Sequence, residues 1–585
     1  MFLAIEGGLV VLAVVLAFTI PDLGSRWFEA LERNLGNLAR QRGLSVITVG
    51  LTAMSLRAAL LPIMPIPVPG ASDEFSYLLL SDTFAHGRLT NPTNPMWVHF
   101  ETLHVLWQPA HVSRYWPGQG LFMAAGQVLM GHPFWGIWLS VGLMCAAITW
   151  MLQAWVGEGW ALLGGFLAVI RFGTFNYWAN SYWGGAVAAI GGALVLGALP
   201  RMKHRNRVRN ALVMGFGFAI LGNSRPYEGL FFGIPVAVAL LVWLWKLKRP
   251  ELGHALKQAM VPLLAVLVLT LVGMGYYFWR TTGNPLTPPY LAYVHKYEPV
   301  PYFSWQSVGH IPAYRHLQLR RYFVDSDLVG YQLSRTLAGR TAMVLGRFAL
   351  MWNFYLGFIF TLPLLLVAVF LPYGFSWRKI SSGTRFLLVV CGAVVLGNLL
   401  PVWYLVHYSA PITCAILALV MIALRDIRDR QWHFKPTGLF VARSVPAVCV
   451  VLMVLRVSAG PLGLRVPAAG PGSGFASWCS QSPANHERAA MLRSLRREPG
   501  GQLVIVHYNP NHQLAFHDWV YNRADLNSAK VIWADDMGPA QNRELIRYYK
   551  NRRVWLVDAD DQPPKLEPYS DAADLQTLTP SGKEP

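Results

Sequence analysis

The sequence predicts a polytopic α-helical membrane protein of about twelve spans, followed by a small C-terminal α/β domain. Of its 585 residues, 54% are hydrophobic and only 14% are charged, with a mean hydropathy of +0.35. Soluble domains carry about 25% charged residues, so this chain has roughly half the usual charge. Apolar runs long enough to cross a bilayer recur along the first 457 residues. Basic residues concentrate in the short loops between those runs.

The net charge of +19 lies entirely before residue 458, because the remainder has 14 basic and 14 acidic side chains. Five short loops together hold 20 basic and 5 acidic residues. Short loops rich in Lys and Arg mark the cytoplasmic side of a membrane protein. Their separation by apolar runs argues against nucleic acid as a partner. The loops are 26–42, 201–209, 246–257, 378–385 and 425–435.

With these loops placed inside, the long polar segments fall outside. The first apolar run has no basic region before it and carries Glu6, so we expect an anchor with its N-terminus outside and not a cleaved signal peptide. The predicted spans are 3–20, 44–64, 133–155, 159–171, 184–200, 210–222, 229–245, 259–279, 343–372, 386–404, 410–424 and 436–457.

Composition divides the chain into four parts. Residues 1–43 form an extra N-terminal span and cytoplasmic loop, and 44–457 form the main transmembrane domain with outer loops 65–132 and 280–342. A linker rich in Gly, Pro, Ala and Ser covers 458–475. Residues 476–585 are predicted to form a small α/β domain on the outer side. Its expected strands are 503–507, 531–534 and 554–557, with a helix at 541–550 and a polar tail from 561.

Two adjacent acids, Asp73 and Glu74, follow the second span at the predicted outer surface. A carboxylate partly removed from water gains basicity and can act as a general base. The alternative is helix capping, because Ser72 and Asp73 precede a helical pattern at 74–84 and acids stabilise a first turn. Both interpretations stay open from the sequence.

The paired acid in the first outer loop resembles the GT-C superfamily of integral-membrane glycosyltransferases. This superfamily includes protein O-mannosyltransferases and the lipid A aminoarabinose transferase. The motif Tyr-Trp-Pro-Gly at 115–118 resembles the aromatic-Pro-Pro element that follows this loop in the family. His407 and Tyr408, shortly before Pro411, resemble a segment of the bacterial members. The resemblance covers residues 44–430.

The resemblance implies a glycosyltransferase that moves a sugar from a polyprenyl-monophosphate donor to an acceptor hydroxyl of a glycan, lipid or protein. It implies a bacterial inner (plasma) membrane location, with the active site on the periplasmic, outer face. Asp73 matches the family's acid and would be the general base, with Glu74 as the next candidate. The departing lipid phosphate needs fixed cations or hydrogen-bond donors nearby.

Five residues are candidates for holding that phosphate. An arginine is well suited, since its guanidinium can donate two parallel hydrogen bonds. Alternatives stay open: Arg225 could pair with Glu228, and Arg280 could extend to the interface beside an aromatic belt. The phosphate candidates are Arg225, Arg280, Lys296, His407 and Tyr408.

Sugar and acceptor contacts are predicted from aromatic, amide and acidic side chains in the outer loops. Where family members often place a second acid, the loop 176–183 carries amides and aromatics instead. Glu228 and Glu101 are the possible substitutes for that acid. The predicted contacts are Tyr77, Trp116, Asn180, Tyr182, Trp183 and Glu228.

The sequence indicates no cofactor, and a divalent metal stays an alternative without a clear site. His99, Glu101 and His104 resemble a zinc-protease pattern, but the two histidines are five residues apart instead of four. On an ideal helix this spacing separates the two imidazoles, so loop hydrogen bonding is favoured.

Two other function classes remain open. A transporter or flippase for a lipid-linked sugar would usually show internal repeats and ionisable groups near the middle of the membrane. A non-catalytic envelope assembly protein would use the C-terminal domain to bind a partner. The sequence shows neither the repeats nor the ionisable groups clearly, which favours the enzyme.

Overall fold

The computed structural model describes residues 1–204, 207–369, 377–431, 434–466, 477–480 and 483–570. The chain forms two compact units, each assembled from three separate segments. The helical unit comprises Met1–Ile66, Phe134–Gly273 and Leu337–Ser482. The mixed unit comprises Pro67–Pro133, Met274–Thr336 and Pro483–Pro585. The predicted domain limits follow the order of the chain, whereas both units combine distant segments.

Within the described residues, eight helical segments are long and apolar enough to cross a membrane. The chain is therefore an integral membrane protein. They are Phe2–Thr19, Phe134–Leu152, Ala186–Lys203, Pro226–Trp245, Glu251–Thr282, Leu337–Val369, Val406–Arg428 and Thr437–Val457. The other predicted spans also lie on helices, at Arg42–Ala59, Glu158–Phe172, Arg207–Gly222 and Ser382–Asn398.

Several of these segments change helix type along their length. Turns of π-helix lie at Leu256–Met260 and Trp352–Leu356, and a 3₁₀ turn at Val406–Ile412 precedes the α-helix Thr413–Arg428. The helix Ser25–Arg40 lies between Phe2–Thr19 and Arg42–Ala59 in the chain. The remaining helices of this unit are Glu251–Ala255, Val261–Thr282 (which continues into the mixed unit), Leu337–Met351, Gly357–Val369 and the 3₁₀ turn Trp377–Lys379.

Within the helical unit, a buried ion pair connects the helix Phe2–Thr19 to the helix Glu158–Phe172. Arg171 Nη1 lies 3.5 Å from Glu6 Oε2, and both side chains are almost fully buried. Arg171 also donates to the carbonyls of Asn353 and Phe354, and the N–H of Ile359 donates to Glu6 Oε1. Both charges are thus satisfied inside an apolar unit, where an unpaired charge would be costly.

The mixed unit is built around a four-stranded sheet. Its strands are β3 (Gly501–His507), β4 (Val531–Asp535), β5 (Arg552–Asp558) and β6 (Leu566–Pro568), in the order β4-β3-β5-β6. The first three strands are parallel, and β6 is antiparallel to β5. A two-stranded ribbon pairs β1 (Val105–Leu106) with β2 (Val112–Ser113). The predicted three strands are confirmed, each slightly longer than expected.

The helices of this unit come from all three of its segments. The predicted helix at 541–550 is present as Pro539–Tyr548. The others are Ser72–Ala85, Trp97–Phe100 (3₁₀), Pro117–Met130, Pro289–Tyr297, Leu317–Arg320, Arg321–Leu328 (π), Val329–Ser334, His486–Leu495 and Leu514–His517.

Two element boundaries differ from those that the sequence predicts. A polar tail was predicted from 561, but Leu566–Pro568 extends the sheet; residues 571–585 lie outside the described residues. The capping interpretation placed the helix start at 74, but the helix begins at Ser72 with Ala71 as its N-cap, so Asp73 is in the first turn and is not the cap. Of the predicted linker, 467–475 lies outside the described residues.

One hydrophobic core joins the first segment of the mixed unit, Pro67–Pro133, to the sheet. Phe75 stacks on Tyr521 with ring centroids 4.5 Å apart, and Phe100 and Trp107 pack into the same cluster as Ile505. The first segment and the C-terminal residues therefore fold as parts of one unit.

Gly357 offers a test of the buried ion pair. Its φ is +58°, and an added Cβ would lie 2.3 Å from Glu6 Oε1. We expect Gly357→Ala to lower the thermal unfolding midpoint in detergent clearly, because left-handed backbone alone costs about 1–2 kcal/mol for other residues. Gly346→Ala is the control, since nothing lies within 4 Å of its added Cβ. Equal unfolding midpoints for the two variants would contradict the close contact between Gly357 and the buried ion pair.

Candidate functional site

The carboxylate of Asp73 lies in a hydrogen-bonded setting in the mixed unit. It is in the first turn of Ser72–Ala85, where an acid is favoured by the helix dipole. The Tyr115 hydroxyl donates to Asp73 Oδ1, and His104 Nε2 lies 3.8 Å from Oδ2. The Asp73 side chain is 21% exposed, so a substrate hydroxyl can reach it.

Glu74, the second predicted acid, closes the start of the same helix. Its Oε2 accepts hydrogen bonds from the backbone N–H groups of Gly70 and Ala71, at 3.0 and 3.1 Å. The side chain is fully buried. This is the reciprocal half of a capping box, which satisfies donors that the helix leaves unpaired. The contact favours a structural role for Glu74 and leaves Asp73 as the accessible acid.

His104 is held by hydrogen bonds on both sides of its backbone. It has a φ of +64°, which is unusual for a residue other than glycine. Its N–H donates to the Tyr293 hydroxyl at 2.8 Å, and its carbonyl accepts from Ser76 Oγ at 2.7 Å. Such strain persists only where surrounding contacts fix the residue, and it often occurs at functional sites.

Contacts of the imidazole fix which nitrogen carries its proton. Arg114 Nη1 lies 3.1 Å from His104 Nδ1, and an arginine can only donate. Burial, and then the Arg114 charge, lower the pKa of His104 well below its ordinary value. The ring is therefore neutral, with its proton on Nε2, the atom that faces Asp73.

Arg114 connects the first and second segments of the mixed unit. It forms a buried ion pair with Glu298, and their side chains are 7% and 14% exposed. Its guanidinium lies over the rings of Tyr290 and Tyr293, 4.5 and 4.6 Å from their centroids. The sequence did not predict these contacts, because Arg114 and Glu298 are 184 residues apart.

A further acid, Asp327, lies near this pair. Burial, and then the Glu298 carboxylate, raise the pKa of Asp327 to about 8. A raised acid pKa at a concave site is a common mark of function, although structural networks produce it too.

Two predicted aromatic contacts lie in the mixed unit. Tyr77 stacks on Tyr115, with centroids 4.4 Å apart and rings 15° from parallel. Trp116 packs edge-on against Phe278 at 5.6 Å and precedes the helix Pro117–Met130. The Tyr77 stack orients the hydroxyl that reaches Asp73.

The helical unit brings together the other predicted group. Arg225 lies over the Tyr408 ring, 4.3 Å from its centroid, and interacts electrostatically with buried Glu228. The Tyr177 hydroxyl is 2.8 Å from His407 Nδ1. Of the described residues, none is a hydrogen-bond partner for the buried His407 Nε2.

Arg347 holds the loop before His407. It donates to the carbonyls of Asn398, Pro401 and Val402, each at 2.7 Å. Because Arg347 lies on another helix, no local sequence motif predicts its contact with this loop.

Asn180, Tyr182 and Trp183 are buried in the helical unit. The Asn180 amide donates to the carbonyls of Thr174 and Asn176 at 2.8 and 2.9 Å. Their burial favours a packing role, and sugar contact stays a prediction for them.

The two remaining basic candidates belong to the mixed unit. Arg280 is exposed near the end of Val261–Thr282 and donates to the Tyr276 hydroxyl at 3.2 Å. Lys296 Nζ lies 4.9 Å from the Trp97 ring centroid, and burial lowers the pKa of Lys296.

The residues of the zinc-protease-like pattern, and the nearby His111, have other contacts. His104 belongs to the network above, and His111 stacks on Trp107 with centroids 3.8 Å apart. Glu101 accepts from the Tyr297 hydroxyl at 2.6 Å. Across the described ranges, no three His, Cys, Asp or Glu side chains are grouped to hold a metal ion.

Solved structures similar to this chain include those of two enzymes. The Archaeoglobus fulgidus oligosaccharyltransferase, in complex with Zn and sulfate, has a TM-score of 0.49 at 12% identity, over 88% of this chain and 67% of that one. The same enzyme with an inhibitory peptide and a dolichol-phosphate gives 0.43 at 10%, over 88% and 69%. ArnT from Cupriavidus metallidurans, bound to undecaprenyl phosphate, gives 0.45 at 14%, over 88% and 92%.

Both enzymes are GT-C glycosyltransferases, the superfamily that the sequence motifs resemble. At TM-scores below 0.5 and such low identity, the likeness assigns no activity to this chain. No protein-family model matches the chain, and no curated protein matches its sequence.

Asp327 predicts a pH dependence of stability. Its folded pKa of about 8 lies above the ordinary 3.8, so its stabilising contribution is complete below about pH 4 and is lost as the pH rises through 8. Asp327→Asn should therefore raise the unfolding midpoint at pH 9 much more than at pH 5. Asp325→Asn, at an exposed position of the same helix, is the control. A similar rise in the unfolding midpoint at both pH values would contradict the conclusion that the Asp327 carboxyl is buried in its neutral form.

Proposed function

We propose that the chain is a membrane glycosyltransferase that moves a sugar from a polyprenyl-monophosphate donor to an acceptor hydroxyl, with Asp73 as general base. The observation that carries the proposal is the partly exposed Asp73 carboxylate, oriented by Tyr115 beside the neutral His104. A base in a fixed orientation is what proton abstraction during an attack requires.

In the proposed reaction, the acceptor oxygen attacks the anomeric carbon of the donor. The bond between that carbon and the phosphate oxygen breaks, and the acceptor proton passes to Asp73. The Tyr115 hydrogen bond keeps one carboxylate oxygen engaged, so the carboxylate cannot rotate freely. The lipid phosphate leaves as an anion, and the sugar ends on the acceptor.

We assign the phosphate to the group around Arg225. Arg225 and Tyr408 form a stacked pair, and Arg225 interacts electrostatically with Glu228. When Tyr177 donates to Nδ1 of His407, the proton of the neutral ring is on Nε2, a buried donor available to an anion. Arg280 and Lys296 are secondary candidates, with Glu228 a candidate for sugar or acceptor contact.

The proposed cellular arrangement follows from the basic loops. We propose about twelve spans in a bacterial inner membrane, with Asp73 and the C-terminal α/β domain on the periplasmic side. The sequence-based domain limits are kept as part of this proposal. A fluorescent maleimide should react with a cysteine placed at exposed Asp525 without opening the cytoplasmic face. Reaction only after opening that face would overturn the arrangement.

The activity itself is tested with purified protein and a panel of polyprenyl-phosphate sugars. We expect one donor to lose its sugar and to release polyprenyl phosphate. Folded protein that turns over none of the panel, but moves a lipid-linked sugar across a vesicle membrane, would establish the transporter alternative instead.

Asp73→Asn separates catalysis from helix stabilisation. The amide keeps the size of the side chain but removes its basicity, so we expect turnover to fall by about 10²–10⁴-fold with donor binding unchanged. Asp525→Asn, an exposed acid of the same unit, should leave turnover unchanged. Near-normal turnover in folded Asp73→Asn would end the catalytic assignment.

Arg225→Ala should weaken donor binding and turnover together, because the phosphate is present in both the ground state and the transition state. Arg225→Lys should recover only part of the loss, since an ammonium cannot donate two parallel hydrogen bonds. Arg340→Ala, an exposed arginine of the helical unit, is the matched control. Donor affinity and turnover rate are measured separately. Unchanged donor affinity in Arg225→Ala would exclude it from the phosphate site.

A further inference from the structure

Three arginines of the helical unit line one cavity at the predicted cytoplasmic side. Arg42 belongs to the basic loop 26–42, and Arg201 and Arg209 belong to the basic loop 201–209. The structure brings these distant loops together around an open cavity of about 570 Å³. Cavities of about 300–1,000 Å³ are typical of sites for small ligands.

The lining of this cavity is divided between polar and apolar groups. Asn210 lines the cavity beside the guanidinium groups, and the Gln153 amide donates to the Arg42 carbonyl and to Ser45 Oγ, each at 2.9 Å. The apolar part of the lining is made of aliphatic side chains and one indole. These are Ala154, Leu194, Pro200, Val213 and Trp150. A ligand that fits both parts carries an anionic group next to an apolar one.

Arg201 is fixed in place before any ligand binds. Its guanidinium stacks on Trp150, 4.1 Å from the ring centroid. Its two terminal nitrogens donate to the carbonyls of Gly197 and Trp150, each at 2.7 Å. An ordered guanidinium loses less entropy on binding an anion than a mobile one.

The positive charge of the cavity is only partly neutralised. Arg42 Nε forms an ion pair with Glu158 at 2.8 Å. Neither Arg201 nor Arg209 forms an ion pair with a carboxylate of the described residues. Arg209 is exposed. Three cations therefore face a single carboxylate, which leaves an excess of positive charge in the cavity.

We propose that this cavity binds the phosphodiester of an anionic phospholipid of the cytoplasmic leaflet. The arginines supply charge-assisted hydrogen bonds to phosphate oxygens, and the apolar wall contacts the glycerol and the first acyl carbons. Basic pockets between transmembrane helices on the cytoplasmic side are suited to such headgroups. The apolar wall favours a lipid over free phosphate, although both present the same anion. This proposal does not depend on the transferase activity.

The test uses full-length protein in detergent and native mass spectrometry with added phosphatidylglycerol or phosphatidylcholine. We expect wild-type protein to retain phosphatidylglycerol preferentially. Arg209→Gln should reduce this retention roughly fivefold, and Arg201→Gln with Arg209→Gln should reduce it further, since each juxtamembrane arginine adds about one kcal/mol. Arg26→Gln, an exposed arginine on Ser25–Arg40 outside the cavity, should leave retention unchanged.

The single variant Arg209→Gln controls for misfolding. Arg209 is exposed, so its replacement should not disturb the fold, whereas replacing Arg201 removes hydrogen bonds to two backbone carbonyls. Retention in folded Arg209→Gln equal to that of Arg26→Gln would overturn the proposal. Inorganic phosphate is the second arm. Displacement of the lipid by millimolar phosphate would overturn the lipid assignment in favour of a free-phosphate site, whereas failure to displace it would support the lipid.

Discussion

The mixed unit depends on the buried ion pair between Arg114 and Glu298. The pair joins the first segment of that unit to the second, and Arg114 also contacts His104, whose other nitrogen faces Asp73. Removing one partner of a buried pair typically costs about 3–5 kcal/mol, because the other charge is left unpaired in a poorly solvated place. The orientation of the candidate base is therefore set by a contact made far from it in the sequence.

Hydropathy and charge predicted the helices well, because a membrane segment reveals itself within about 20 consecutive residues. The C-terminal strands were likewise visible as short apolar runs. The assembly of outer segments with the C-terminal residues was not predicted, since Phe75 and Tyr521 carry no mutual signal in a single sequence. Leu566–Pro568 was missed because a short edge strand in a polar stretch lacks alternation.

The candidate site was predicted in part. Asp73 stood out because two adjacent acids at a membrane surface are unusual, but the sequence could not tell which of them would be accessible. The backbone contacts of Glu74 decide this. Glu6 raised only a question of orientation, yet it satisfies Arg171 inside the helical unit. Both charges make several hydrogen bonds. The pair therefore has the features of a structural contact, and not those of the mobile ionisable group that transport requires.

The three-part construction of the mixed unit has a consequence for biogenesis. Asp82, which is largely buried, bonds to Arg523 and to the N–H of Ala524, and the Arg523 contact spans 441 residues. At about 5–20 residues per second, ribosomes need about 20 to 90 s to make the intervening chain. During that interval the first outer segment exists without the sheet that covers its apolar side chains. Chains that stall or are cleaved before this point would leave Phe75, Phe100 and Trp107 uncovered, a form that chaperones and proteases can recognise.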